Sequence, residues 1–76
     1  MKANNKYGHI FFERLKELRD EKELSQPKLA AELKLISASA IAKWEVQRTE
    51  PTASMLIILA DYFDVTVDYL LGRESD

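Results

Sequence analysis

The 76-residue chain contains no cysteine, which excludes disulfide bonds and zinc sites with thiolate ligands. It also contains no apolar run near the roughly 18–20 residues that a membrane-spanning helix needs, since the longest run covers only residues 55–60. The first residues lack the hydrophobic core of a signal peptide. We therefore expect one small soluble domain in the cytoplasm, with no membrane association.

The sequence is equally poor in the groups that enzymes use. His9 is the only histidine, and the position of this residue favours an ordinary helix start over a catalytic site. No paired carboxylates, metal-ligand cluster or glycine-rich phosphate loop stands out. We expect no catalytic residue, no cofactor and no metal, and an enzyme is the least favoured class of function.

Charge is distributed unevenly along the chain. The net charge is −2, which by itself argues against a polyanionic partner. Residues 1–48, however, hold ten Lys or Arg against seven Asp or Glu, whereas residues 49–76 hold one against six. The cations are therefore concentrated in the first part of the chain, either as solvated helix faces or as a binding surface for nucleic acid.

Residues 24–33 predict a short helix. Ser25 can act as its N-cap, because the serine hydroxyl accepts a hydrogen bond from a first-turn N–H group. Pro27 is tolerated in that turn, where its missing N–H costs little. Leu29, Ala30 and Leu33 then recur at helical spacing, which predicts a buried face.

A second short helix follows after a turn, with Ser37 as the predicted N-cap. One face is predicted to look inward and the other outward. The inward residues are Ala40, Ile41, Trp44 and Glu45, and the outward residues are Ala38, Ser39, Ala42 and Lys43.

Three further helices complete the predicted architecture, and no strand pattern is present. The first runs from about His9 to Glu21 with Phe11, Leu15 and Leu18 as its apolar stripe, while Phe12 lies off that stripe. Thr52 and Thr66 are the predicted caps of the last two helices. The core stripe of the fourth helix consists of Leu56, Leu59, Ala60 and Phe63, and Gly72 is expected to end the fifth helix.

Several motifs in order resemble the phage repressor and Cro type (XRE-like) of helix-turn-helix domain, from about Phe11 to Gly72. They are residues 13–19, Leu24-Ser25-Gln26 with Leu29-Ala30, Ile41-Ala42-Lys43-Trp44-Glu45, Glu50-Pro51, and Val67-Asp68-Tyr69-Leu70-Leu71-Gly72. The resemblance implies an all-α, compact five-helix bundle of the lambda-repressor-like type, with the helix-turn-helix at helices two and three. We assign residues 1–8 to a flexible arm, 9–72 to the domain and 73–76 to a tail.

The resemblance also implies a DNA interface. Base edges in the major groove would be contacted by Ala38, Ser39, Ala42 and Lys43. Backbone phosphates would be contacted by Gln26, Arg48 and Thr49, with Lys28 and Lys34 as weaker candidates. The ordinary alternative is that Lys43 is a solvated lysine and Gln26 an exposed glutamine at a helix start.

Arg19 and Glu45 match a structural pair that in similar domains joins the first helix to the reading helix. Two positions depart from the family pattern, because Lys34 and Gln47 stand where glycine is usual. Either Lys34 adopts a left-handed conformation at a cost of about 1 kcal/mol, or the lengthened turn re-forms differently.

A domain this small gains only about 3–5 kcal/mol from its core, so a partner subunit would help. Similar domains usually bind paired half-sites as dimers. A homodimer face could be formed by Met55, Ile58, Tyr62, Tyr69 and Leu70, unless the last helix covers these side chains within one subunit.

The favoured function is sequence-specific binding of double-stranded DNA by a small bacterial or phage transcriptional regulator, with repression as the expected outcome. The alternative is an antitoxin or another protein-interaction module with the same fold. Neither the operator nor the regulated genes can be predicted from the residues.

Overall fold

The computed structural model describes residues 6–34 and 36–73, which contain five helices and no strand. The helices are α1 (Lys6–Glu21), α2 (Gln26–Leu33), α3 (Ala38–Glu45), α4 (Ala53–Phe63) and α5 (Val67–Leu70). The all-α, five-helix prediction is therefore confirmed. α2 packs on α3, α1 packs on both α3 and α5, and α4 packs on α5.

The predicted boundaries at the two ends need correction. α1 begins at Lys6, so residues 6–8 belong to a helix and not to an arm. Arg73 was predicted to lie in a tail, but its N–H donates to the carbonyl oxygen of Asp68 at 2.8 Å and closes the end of α5. The remainder of the predicted arm and tail, residues 1–5 and 74–76, lies outside the described residues.

A single core collects apolar side chains from every helix. Its fully buried members are Phe11, Leu15, Leu29, Ile41, Leu59 and Leu70. The stripe predicted on α1 is confirmed, but Phe12 is buried as well and its ring meets that of Phe11 edge to face at 5.4 Å. α1 is covered by helices on two sides, so its buried face is wider than one stripe.

Each of the four predicted N-caps is confirmed. The hydroxyl groups of Ser25, Ser37, Thr52 and Thr66 accept hydrogen bonds from N–H groups three residues ahead, at 2.9–3.1 Å. These bonds satisfy donors that the first turn of a helix leaves without partners. They explain why α2 to α5 begin where the sequence predicts.

The C-terminal ends of the helices share one backbone conformation, which the residue types do not reveal. Among the described residues, every helix is followed by a residue in the left-handed conformation, with φ between 56° and 78°. Only one of these residues is a glycine; they are Glu23, Lys34, Gln47, Asp64 and Gly72. Lys34 therefore adopts the left-handed conformation that glycine usually supplies, and its N–H donates to the carbonyl oxygen of Ala30 at 2.9 Å.

Gly72 has a second constraint besides its φ of +78°. A Cβ atom at this position would lie 2.6 Å from side-chain atoms of Ile10. The close approach packs the end of α5 against α1, and it accounts for glycine at this helix end.

Candidate nucleic-acid interface

The inner face of α3 is anchored in the core. Ile41 is fully buried and Trp44 is 5% exposed, with the indole ring meeting Phe11 edge to face at a centroid distance of 6.3 Å. Trp44 is therefore a packing residue, as predicted, and not a surface for stacking bases. The position of α3 relative to α1 is fixed by these contacts.

The outer face of α3 is mostly, but not wholly, as predicted. Ser39 and Lys43 are exposed and Ala42 is half-buried. Ala38, which was predicted to point outward, is half-buried and packs against the core. The reason is helical spacing, because Ala38 lies three residues before Ile41 and seven before Glu45, and therefore shares their face.

The last turn of α3 closes in a Schellman motif. The N–H of Gln47 donates to the carbonyl oxygen of Trp44 at 3.0 Å, and the N–H of Arg48 donates to that of Lys43 at 2.8 Å. Gln47 takes the left-handed position of this motif with φ 65°. The second departure from the family pattern is thus accommodated without loss of the turn.

This motif brings two cations to one end of α3. Lys43 and Arg48 are both exposed, and the backbone bond between them keeps their side chains in the same neighbourhood. Cations at a helix C-terminus are stabilised by the helix dipole, yet both side chains remain accessible to a ligand. Thr49, also exposed, follows directly. The arrangement can bind a phosphate backbone.

Arg19 and Glu45 form a bidentate ion pair between α1 and α3. Arg19 Nε donates to Glu45 Oε2 at 2.7 Å, and Arg19 Nη2 donates to Glu45 Oε1 at 2.9 Å. Their side chains are 10% and 6% exposed. The hydrogen bond to Glu45 raises the pKa of Arg19, and the Glu45 and Asp20 charges act in the same direction against the opposing effect of burial.

Two further groups belong to this network and were not predicted. Arg19 Nη1 donates to the carbonyl oxygen of Leu24 at 2.6 Å, and Gln26 Nε2 donates to Glu45 Oε1 at 2.9 Å. Glu45, the last residue of α3, is therefore tied to α1 and to the first residue of α2, while Arg19 also holds the connection before α2. No buried side-chain polar atom in residues 10–34 and 36–73 lacks a partner.

The role of Gln26 changes as a result. One N–H of the half-buried amide is used by Glu45, so the side chain holds the helix pair together. An amide nitrogen has a second N–H, and a phosphate contact through it stays a prediction. Lys28, one residue beyond Pro27, is exposed on the same first turn of α2. The available signal for the Gln26–Glu45 bond was a polar residue at the start of α2, which packs against α3.

Val46 was missed entirely by the sequence-based list. The valine is 65% exposed and directly follows α3. A branched apolar residue three positions after Lys43 and four after Ala42 was the available signal, because those spacings share one helix face.

The predicted dimer face is only partly available. Leu70 is fully buried and is removed from it, because α5 packs this side chain into the core. Met55, Ile58, Tyr62 and Tyr69 are half-buried and pack against the core within the chain. The Tyr69 ring is also covered by the Arg14 guanidinium at 4.0 Å, and Arg14 Nη1 donates to the Tyr69 carbonyl oxygen at 2.6 Å.

On α4 the most accessible large apolar side chain is Ile57, which is 54% exposed and was not in the predicted face. Tyr62 has neighbours in its own chain: burial, together with the Glu32 carboxylate, raises the pKa of its phenol. An interface on α4 would therefore be centred nearer to Ile57 than the sequence suggested.

Within residues 6–34 and 36–73, no helix combines the length and apolar character that crossing a membrane requires. Among the side chains of residues 10–34 and 36–73, no three from His, Cys, Asp or Glu form a group that could hold a metal ion.

Comparisons with known proteins agree with this geometry. Residues 15–70 match the family described as helix-turn-helix. The chain is 41% identical over 65 residues to the HTH-type transcriptional activator BcrR of Enterococcus faecalis, which covers 86% of this chain and 31% of that protein. It is 44% identical over 63 residues to the HTH-type transcriptional regulator AnsR of Bacillus subtilis, which covers 83% of this chain and 53% of that protein.

An uncharacterized HTH-type transcriptional regulator of Bacillus subtilis, YobD, is 34% identical over 67 residues, or 88% of this chain and 59% of that protein. The chain thus spans roughly a third to three fifths of the length of these relatives. No solved structure gives a significant match. Because the family match covers most of the chain, the chain belongs to the XRE-type helix-turn-helix family.

Proposed function

We propose that this protein binds specific double-stranded DNA sequences through the exposed edge of α3 and regulates transcription at those sites. One observation carries the proposal: α3 is fixed by its inner face while Ser39, Lys43 and Arg48 stay exposed along its outer edge. A fixed helix with accessible hydrogen-bonding and cationic groups is what entry into a major groove requires. The proposed activity involves no catalytic step.

Within this interface we assign base-edge contacts to Ser39, Ala42 and Lys43. A serine hydroxyl can donate or accept, a lysine can donate to guanine acceptors, and an alanine methyl can pack on a thymine methyl. Ala38 contributes less than predicted because it faces the core. With so few base-edge donors, phosphate contacts and DNA shape supply much of the discrimination.

Phosphate contacts are assigned to Arg48 and Thr49 at the end of α3 and to Lys28 and the second N–H of Gln26 at the start of α2. The two groups start from neighbouring points of the fold, because Gln26 at the start of α2 donates to Glu45 at the end of α3 at 2.9 Å. Phosphate contacts from both helices beside this bond would hold α3 at a fixed depth in the groove.

We further propose that the protein acts as a dimer on paired half-sites, because one short helix reads few bases. The exposed Ile57 and the half-buried Met55 and Ile58 of α4 offer the apolar surface for a second copy. Repression is the proposed outcome, since a bound dimer occupies the DNA that polymerase would use. Activation of a reporter placed behind a selected site would contradict repression, without affecting DNA binding.

The test is a binding-site selection with the purified protein, followed by affinity measurements at several salt concentrations. We expect a short two-fold symmetric sequence and a steep salt dependence. Arg48→Ala should reduce the slope of log K against log[salt] by about one unit. Lys16→Ala removes an exposed cation of α1 that is assigned no contact and should leave the slope unchanged.

Three results would contradict the assignments. A selection that enriches no sequence would reject specific DNA binding. Equal slopes for Arg48→Ala and the unmodified protein would reject the phosphate role of Arg48 while leaving the function intact. Enrichment of an asymmetric single site, together with a monomer mass at high micromolar concentration, would reject the dimer.

A further inference from the structure

We propose that Val46 is a further specificity-determining residue, which reads the C5-methyl group of a thymine in the major groove. The inference rests on the proposed DNA-binding function, and it goes beyond that function by naming the base feature that one additional side chain recognises. The first observation is that the Val46 side chain is exposed although it is apolar. Val46 is 65% exposed, and it is not among the partly buried residues that pack on the core.

The position of Val46 places it on the reading edge. Its N–H donates to the carbonyl oxygen of Ala42 at 3.2 Å, so the helical turn continues through this residue. Val46 lies three residues after Lys43, four after Ala42 and seven after Ser39, and positions at these spacings share one face of a helix. The valine therefore extends the row of outer-face side chains by one turn.

The backbone of Val46 is held on both sides. Before it, the bond to Ala42 fixes the last turn, and after it the Schellman bonds of Gln47 and Arg48 fix the direction in which the chain leaves. A β-branched side chain also has few rotamers. An apolar group with so little freedom loses little entropy when it meets a ligand, which favours a contact that depends on exact position.

The surroundings identify the chemical class of the ligand. Val46 lies between Lys43 and Arg48, two exposed cations whose backbones are bonded at 2.8 Å. Such cations attract a polyanion. A polyanion bound by both cations would lie beside the valine. The exposed apolar group on a base edge in the major groove is the thymine methyl. The geometry thus points to a thymine beside the base that Lys43 contacts.

The experiment uses the DNA site recovered by selection, with each thymine replaced in turn by deoxyuridine, which lacks only the C5-methyl group. We expect one such replacement in each half-site to weaken binding of the unmodified protein roughly fourfold, the effect of exposing one buried methyl-sized group. Val46→Ala should bind the thymine site more weakly than the unmodified protein and should be insensitive to that same replacement. Lys16→Ala, a truncation at an exposed residue of α1 that is assigned no contact, should keep the full sensitivity.

Two outcomes overturn the proposal. In the first, Val46→Ala retains the same loss as the unmodified protein at every deoxyuridine position. In the second, the unmodified protein binds a selected sequence specifically but is indifferent to every replacement, which rejects the role of Val46 and leaves the proposed function standing. If no sequence is selected, the function itself fails. Because Val46 is exposed, thermal unfolding of Val46→Ala should match that of the unmodified protein, so altered binding does not report misfolding.

Discussion

The two faces of α3 differ in how completely the fold uses them. On the inner face, Ile41 and Trp44 are packed and each carboxylate oxygen of Glu45 accepts hydrogen bonds from neighbouring helices. On the outer face, Ser39 and Lys43 are exposed. Packing and hydrogen bonding account for the residues of the inner face, whereas in the part of the chain that the structure describes, burial does not account for Ser39 and Lys43 on the outer face.

This difference separates stability from recognition in a helix of eight residues. Substitutions on the inner face should change the folding free energy, and substitutions on the outer face should change only binding. Such a division lets a small domain alter the DNA sequence it reads without losing its fold. It also means that each face can be tested against the other as an internal control.

The largest effect is expected for Trp44→Ala. Truncation of a buried aromatic residue costs about 3–5 kcal/mol, which is comparable to the whole stability of a domain this small. The variant should therefore be largely unfolded by circular dichroism. Lys43→Ala, one residue away on the outer face, should change the free energy of unfolding by less than about 0.5 kcal/mol. A folded Trp44→Ala protein of nearly full stability would contradict the description of the inner face.

Breaking the ion pair should have the next largest effect. Glu45→Ala leaves Arg19 nearly buried without its carboxylate, and such a loss costs about 3 kcal/mol. Gln26→Ala removes one hydrogen bond to Glu45 and should cost about 1 kcal/mol. Urea denaturation of both single variants and the double variant measures the coupling. If Gln26→Ala costs as much in the Glu45→Ala background as alone, the two side chains do not act as a unit.

A smaller effect of opposite sign is expected at the end of α3. Gln47 adopts φ 65° in the Schellman motif, and a left-handed non-glycine residue is disfavoured by about 1 kcal/mol relative to glycine. Gln47→Gly should therefore raise the free energy of unfolding by about 0.5–1 kcal/mol. Gly72→Ala is the reverse control, because its Cβ would lie 2.6 Å from Ile10 atoms. Destabilisation by Gln47→Gly would show that the glutamine side chain stabilises the turn.

The starts of α2 to α5 were readable from their capping residues, and the predicted helix ends agree with the structure, but glycine signalled only the end at Gly72. A serine or threonine one turn before an apolar stripe indicates an N-cap, because its hydroxyl can accept a hydrogen bond from a first-turn N–H group. This pattern identified Ser25, Ser37, Thr52 and Thr66. The usual signal for a helix end is glycine, and here lysine and glutamine occupy left-handed positions after α2 and α3. Bonds between backbone groups, which any residue can make, determined these ends.

The site shows the same limit. Arg19 and Glu45 were predicted as a pair from the family resemblance. The hydrogen bonds that Gln26 and the Leu24 carbonyl add to this pair depend on tertiary contacts, which the sequence does not reveal. Ala38 was assigned to the wrong face because its proximity to Ile41 in helical projection was overlooked. Leu70 was predicted to lie in a dimer face, but α5 packs its side chain into the core, where it is fully buried.

The central claim, that the outer face of α3 reads base edges while the inner face holds the helix, is tested most directly by Lys43→Gln in a binding-site selection. Lysine donates to guanine acceptors, whereas a glutamine amide both donates to and accepts from adenine. We predict that the variant unfolds like the unmodified protein and selects adenine in place of guanine at one position in each half-site. An unchanged selected sequence with the variant fully folded would contradict the claim.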